Sequence, residues 1–188
     1  MRCAGFTLVE VMVSAGISTV ILAGVLTAFL FIGRSGFAAS SFSELENETR
    51  TALQIFGDDV RKSTDIRTNS SQSITLSVAT SSNATTTVTY AYDTDATSAT
   101  YQCFYRLVGN ATSTLPRRIL VHHVASDFAF RRFKLEQSGV TNNSASNDRE
   151  TKQIEVTLRA TRTGTTAVAA NQSALSARYI LRNKRVAN

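Results

Sequence analysis

The chain has 188 residues, 20 basic and 14 acidic, with a formal net charge of +6 and 43% hydrophobic side chains. Setting aside an apolar anchor of about 30 residues leaves length for one modest domain with a real core and hardly for two. The two cysteines, Cys3 and Cys103, exclude a disulfide-built scaffold, and if Cys3 leaves with a leader no intramolecular disulfide remains.

The charge is unevenly spread. From Arg106 to the end there are 14 basic and 5 acidic residues, against 6 and 9 before it, so the two parts carry +9 and −3. A basic surface of that kind attracts nucleic acid or an acidic partner. Solvated strand faces that keep a secreted domain soluble are the preferred reading, and nucleic acid is not favoured as a partner.

In chain order, Gly5-Phe6-Thr7-Leu8-Val9-Glu10 comes first, followed by an uncharged run from Val11 to Gly33 that ends before Arg34. About 28 residues at about 1.5 Å of helical rise give roughly 42 Å, enough to cross a hydrocarbon core of about 30 Å. Glu10 is costly inside such a span and asks for a positive partner at the same depth. A cut after Gly5 would create an α-amine on Phe6, four residues before Glu10 and on the same helical face. A secretory signal ending near Ala38-Ala39-Ser40 is the alternative, and it leaves Glu10 unexplained. Arg2, with no basic cluster just after the span, fits an N-terminus left in the cytoplasm and a body outside it. Ser14 and Ser18, Ala15 and Thr19, and Gly24 and Ala28 set small residues four apart, a spacing that permits close helix approach.

The Gly5 to Glu10 hexapeptide with its apolar run resembles the processing site of type IV prepilins and type II secretion pseudopilins. The resemblance implies Gly5 before the cut, Phe6 as the N-methylated mature terminus and Glu10 as the acid used in assembly. It implies a prepilin peptidase and methyltransferase and other pilins or pseudopilins as partners. It also implies an inner-membrane location, with a single pass and an external head, followed by a pilus or pseudopilus. Family leaders usually carry a basic residue close to the glycine, whereas here Cys3 and Ala4 intervene after Arg2. The family's frequent proline kink is missing too, since the one proline is Pro116, and a straighter anchor is expected.

Beyond Gly36, Phe42, Leu45, Thr49, Ala52, Phe56 and Val60 recur at helical spacing among charged residues, which predicts an amphipathic helix continuing from the span. Gly33 and Gly36 are the expected places for a bend. Polar residues Ser63 to Asn69 are expected to end the helix in a turn. Strands are predicted at 73–78, 87–92, 101–108, 154–158 and 119–124, the last standing alone or leading into Phe128-Ala129-Phe130, and 174–181 reads as a strand or a short helix, with a strand preferred. The expected organisation is leader 1–5, transmembrane helix 6–33, amphipathic continuation 34–64 and β-rich head 65–188. Its fold class is α+β, a long N-terminal helix packed on one antiparallel sheet. The stretches ending Asp59-Val60-Arg61-Lys62, running Leu120 to Phe130, and closing Leu181-Arg182-Asn183 are similar to J-type pseudopilins and W-type minor pilins, which implies a place at or near a filament tip.

No active-site pattern is recognisable, and neither enzyme activity nor a cofactor is expected. Adjacent His122 and His123 would point to opposite faces of a strand and could not share a metal. Cys103 reads as a small buried hydrophobe. Asp93 and Asp95 are the only calcium candidates, and turn formation is the preferred role for both. An anchored or tip-borne binding module using the basic C-terminal half is the alternative to a structural subunit.

Overall fold

The computed structural model describes residues 5, 7–80, 84–135, 142–163 and 170–185. Helix α1, Leu8–Lys62, is continuous over 55 residues and keeps its helical hydrogen bonding through Gly33 and Gly36. The chain divides into two compact units, residues 1–41 and 42–188. The first is the apolar part of α1, whose most hydrophobic window has no buried residue and would lose its apolar surface to lipid or to other helices.

In the second unit the eight strands follow α1: β1 (Ser63–Ser70), β2 (Ser73–Ala79), β3 (Thr85–Tyr92), β4 (Phe104–Val108), β5 (Arg118–Val121), β6 (Ala129–Phe133), β7 (Gln153–Thr163) and β8 (Ala170–Ile180). This order, one long N-terminal helix and then antiparallel strands, is the expected α+β architecture. The expected turn over Ser63 to Asn69 is instead β1. Ile66 is buried there and pairs with Leu76 of β2, and that tertiary pairing overrides the turn preference of Asp65 and Asn69. The end of α1 is closed by the Ser63 hydroxyl, which donates to Val60 O at 2.7 Å, and by Arg61 and Lys62 in the last turn, whose charges suit the helix dipole.

The head has two sheets where one was expected: a five-stranded meander, β1 to β5 in order, and a three-stranded sheet, β6-β7-β8. The split follows β5, which stops after four residues. His123 then takes a left-handed backbone (φ 51°), and Val124 bridges to Ala160 of β7 rather than continuing along β4. His122 and His123 thus lie in a bend, not in the strand that the sequence predicted.

One core joins α1 to both sheets. Leu45, Ala52, Phe56 and Val60 form the buried stripe of α1, and Thr49 on the same stripe is satisfied by donating to Leu45 O at 2.8 Å. Phe42, expected on this stripe, is 41% exposed. Phe56 is the hub: its ring meets Tyr90 of β3 at 5.0 Å, Phe130 of β6 at 5.6 Å and Tyr179 of β8 at 5.5 Å. A polar tie runs beside it. Asp59 accepts the Tyr90 hydroxyl at 2.6 Å and Arg106 Nε at 2.9 Å, fixing α1 to β3 and β4. Burial first, then the Asp59 carboxylate, raises the Tyr90 pKa, so the phenol keeps its proton and remains a donor.

Candidate processing and assembly site

Gly5 is exposed, with open space where a side chain would stand, while Phe6 and the preceding Met1 to Ala4 lie outside the described residues. The first described helical turn has a reciprocal arrangement that the sequence reading missed. Thr7 Oγ1 accepts the Glu10 amide at 3.3 Å, and Glu10 Oε2 in return accepts the Thr7 amide at 3.4 Å and its hydroxyl at 3.5 Å. This is a capping box, with Thr7 as N-cap and Glu10 three residues on, and its signal was present in the Thr-x-x-Glu spacing. The carboxylate therefore sits at the positive end of α1 and satisfies donors that lipid could not. Its Oε1 makes no contact among the described residues and is the atom to which a cation could bind.

The hydroxyls further along are also closed. Ser14 donates to Glu10 O at 2.7 Å, Thr19 to Ala15 O at 2.8 Å, Thr27 to Ala23 O at 2.8 Å and Ser35 to Phe31 O at 3.0 Å. These side chains thereby enter an apolar medium without unpaired donors. The glycines at 16 and 24 meet nothing within 4 Å, leaving those faces open to a close neighbour.

The other singled-out residues do not converge on this site. Asp93 is buried, with Oδ2 taking Thr100 Oγ1 at 2.6 Å and the Arg117 guanidinium at 2.5 Å, and Oδ1 taking the Asp95 amide at 3.0 Å. Asp95 Oδ1 in turn accepts the Thr97 amide at 2.9 Å. Both carboxylates thus build the 93–103 turn, and a calcium ion at Asp93 would have to displace Arg117. Burial opposes the Asp93 charge, but the Ser98, Thr100 and Asp95 hydrogen bonds and Arg117 outweigh it, and the pKa falls below the ordinary carboxylate value. His122 is pinned to α1, its amide and Nδ1 meeting Glu48 Oε1 at 3.1 and 2.7 Å. Cys103 is free and buried, and burial raises its pKa, as befits a small apolar side chain rather than a nucleophile. Among the described residues no three His, Cys, Asp or Glu side chains cluster to hold a metal.

Residues 1–26 match the family model described as the prokaryotic N-terminal methylation motif. The chain carries a prepilin-type N-terminus. That match supports the type IV pilin and pseudopilin family, and the exposed apolar helix behind the motif fits membrane anchoring of a prepilin. Such a motif implies processing by a prepilin peptidase and assembly with other pilins. No curated protein sequence matches the chain.

Proposed function

We propose that the protein is a minor pilin or pseudopilin subunit. It enters the inner membrane with its N-terminus cytoplasmic, is cut after Gly5, is methylated on Phe6 and is assembled at or near the tip of a type IV pilus or type II secretion pseudopilus. Residues 1–5 act as leader, 6–33 as the membrane span, 34–64 as the amphipathic continuation and 65–188 as the head. The observation that carries this reading is the methylation motif at the start of a helix whose apolar part is wholly exposed. The capped Glu10 adds to it, because Oε1 remains available for the α-amine of a neighbouring Phe6 while Oε2 stays on its own helix.

The structural role is also favoured over a basic binding module by how the head uses its cations. Arg106, Arg117, Arg132, Lys134, Arg159 and Arg178 each pair with a carboxylate of the same chain. The test is Glu10→Ala. Membrane insertion is expected to persist or improve, while incorporation into filaments falls. Normal incorporation of the variant would refute assembly through Glu10.

A further inference from the structure

His122 and His123 are the only two histidines in the chain, and the N-terminal motif makes no use of them. In a regular strand, adjacent side chains leave from opposite faces and cannot meet on one ligand. The bend after β5 changes that geometry. His123 takes a left-handed backbone (φ 51°), and the two imidazole centroids come to 6.5 Å with their planes at 47°. An ion held by two imidazole nitrogens at about 2.0–2.1 Å keeps the ring centroids roughly 5–6.5 Å apart, the lower value at a tetrahedral angle. The observed pair stands at the wide end of that range, and rotation about exposed side-chain bonds brings it to the tetrahedral value.

The main chain holds both residues in place. Val124 N donates to Gln102 O at 2.7 Å, and Thr161 donates to His123 O through its amide at 2.9 Å and its hydroxyl at 3.2 Å. The His122 amide donates to Glu48 Oε1 of α1 at 3.1 Å. The bend is thereby tied to the 93–103 turn, to β7 and to α1, while both imidazoles stay exposed.

Hydrogen bonding also decides which ring nitrogens are open. Glu48 Oε1 lies 2.7 Å from His122 Nδ1, and a carboxylate only accepts, so Nδ1 carries the proton and Nε2 keeps its lone pair. A carboxylate on the far nitrogen is the pairing that orients metal-binding imidazoles and raises their basicity. The His123 ring has no hydrogen-bond partner among the described residues, so its ligating nitrogen is open as well.

We infer that His122 and His123 form an open two-histidine site for a divalent transition-metal ion such as zinc, with Glu48 as the positioning residue and water in the remaining positions. A closed structural site takes four protein ligands, and the described residues do not supply a third His, Cys, Asp or Glu to this pair. The ion is therefore exchangeable, and the fold does not depend on it. Imidazole nitrogen selects against calcium and magnesium, which take oxygen ligands. All three residues lie in the head unit, so the site stands whether or not the chain is a pilin.

The test titrates zinc chloride into the full chain in detergent, made without a polyhistidine tag and with Cys3→Ser so that no leader thiol competes. With no other histidine present, the imidazole proton resonances report this pair alone. One ion should bind per chain by calorimetry, both imidazole signals should move together, and excess calcium should not displace the zinc. His122→Ala and His123→Ala should each abolish saturable binding. Glu48→Gln keeps an acceptor for Nδ1 but loses the charge, and should weaken binding about tenfold while both imidazole signals still move. Melting without zinc checks that each variant is folded, and the imidazole shifts of the unaltered pair need no variant at all. Four results would each overturn the inference: no saturable binding, binding that survives the loss of either histidine, one ion shared by two chains, or displacement by calcium.

Discussion

Gly57→Ala sets helix propensity against packing, and the two predict opposite signs. In an exposed helix interior the change stabilises by about 1 kcal/mol. Here a Cβ at Gly57 would stand 2.5 Å from Tyr179 Cε1, 2.9 Å from Cδ1 and 3.2 Å from Cζ, against an ordinary contact of about 3.5–4.0 Å. The ring must retreat by roughly 1 Å, yet it is tethered by its hydroxyl bond to Leu53 O at 2.9 Å and by its edge contact with Phe56. Overpacking costs about 1–3 kcal/mol and the strained hydrogen bond about 1, so the net effect is a destabilisation of about 1–3 kcal/mol. For a head of this size that lowers the melting temperature by about 3–9 °C. All five tyrosines, at 90, 92, 101, 105 and 179, lie in the head and there is no tryptophan, so tyrosine near-UV circular dichroism of the full chain in detergent reports head unfolding alone. In a Tyr179→Leu background the same substitution should be neutral or stabilising. A raised melting temperature for Gly57→Ala in the otherwise unchanged chain would refute the packing of β8 on α1.

Two further predictions concern charge. Asp93 and Asp148 have folded-state pKa values below the ordinary one: burial opposes their charge, but hydrogen bonds and arginines prevail, from Ser98, Thr100 and Arg117 for Asp93 and from Thr68 and Arg132 for Asp148. The unfolded chain therefore binds more protons in acid, so their stabilisation is complete above an unfolded pKa of about 4 and is lost as pH falls through the lower folded values. Head melting followed against pH should drop steeply below about pH 4, and Asp148→Asn should flatten that drop. The head should bind duplex DNA only weakly and without sequence preference, with binding gone by roughly physiological salt, because so many arginines are held in internal pairs. Filter binding that survives that salt would favour the binding-module alternative.

Much of this was legible in the sequence because it is local. The Gly5 to Glu10 motif, the apolar span, the stripe through Leu45, Ala52, Phe56 and Val60, and the alternation in β2, β3 and β7 all lie within a few residues of one another. The capping box is equally local, written in the Thr7-x-x-Glu10 spacing, where one acid serves both as a charge in the span and as the N3 partner of Thr7. What escaped depends on distant partners. β1 forms through residues of poor strand propensity because β2 is beside it, and the division into two sheets turns on the backbone of His123 and a bridge from Val124 to Ala160. The Asp59, Tyr90 and Arg106 tie joins residues 31 and 47 positions apart, for which a single sequence offers no signal.

The central claim is most directly tested at the mature N-terminus, by mass spectrometry of the protein recovered from a host with a prepilin peptidase. A chain beginning with N-methylated Phe6 is predicted. An intact Met1, or a terminus near Ala39, would contradict it.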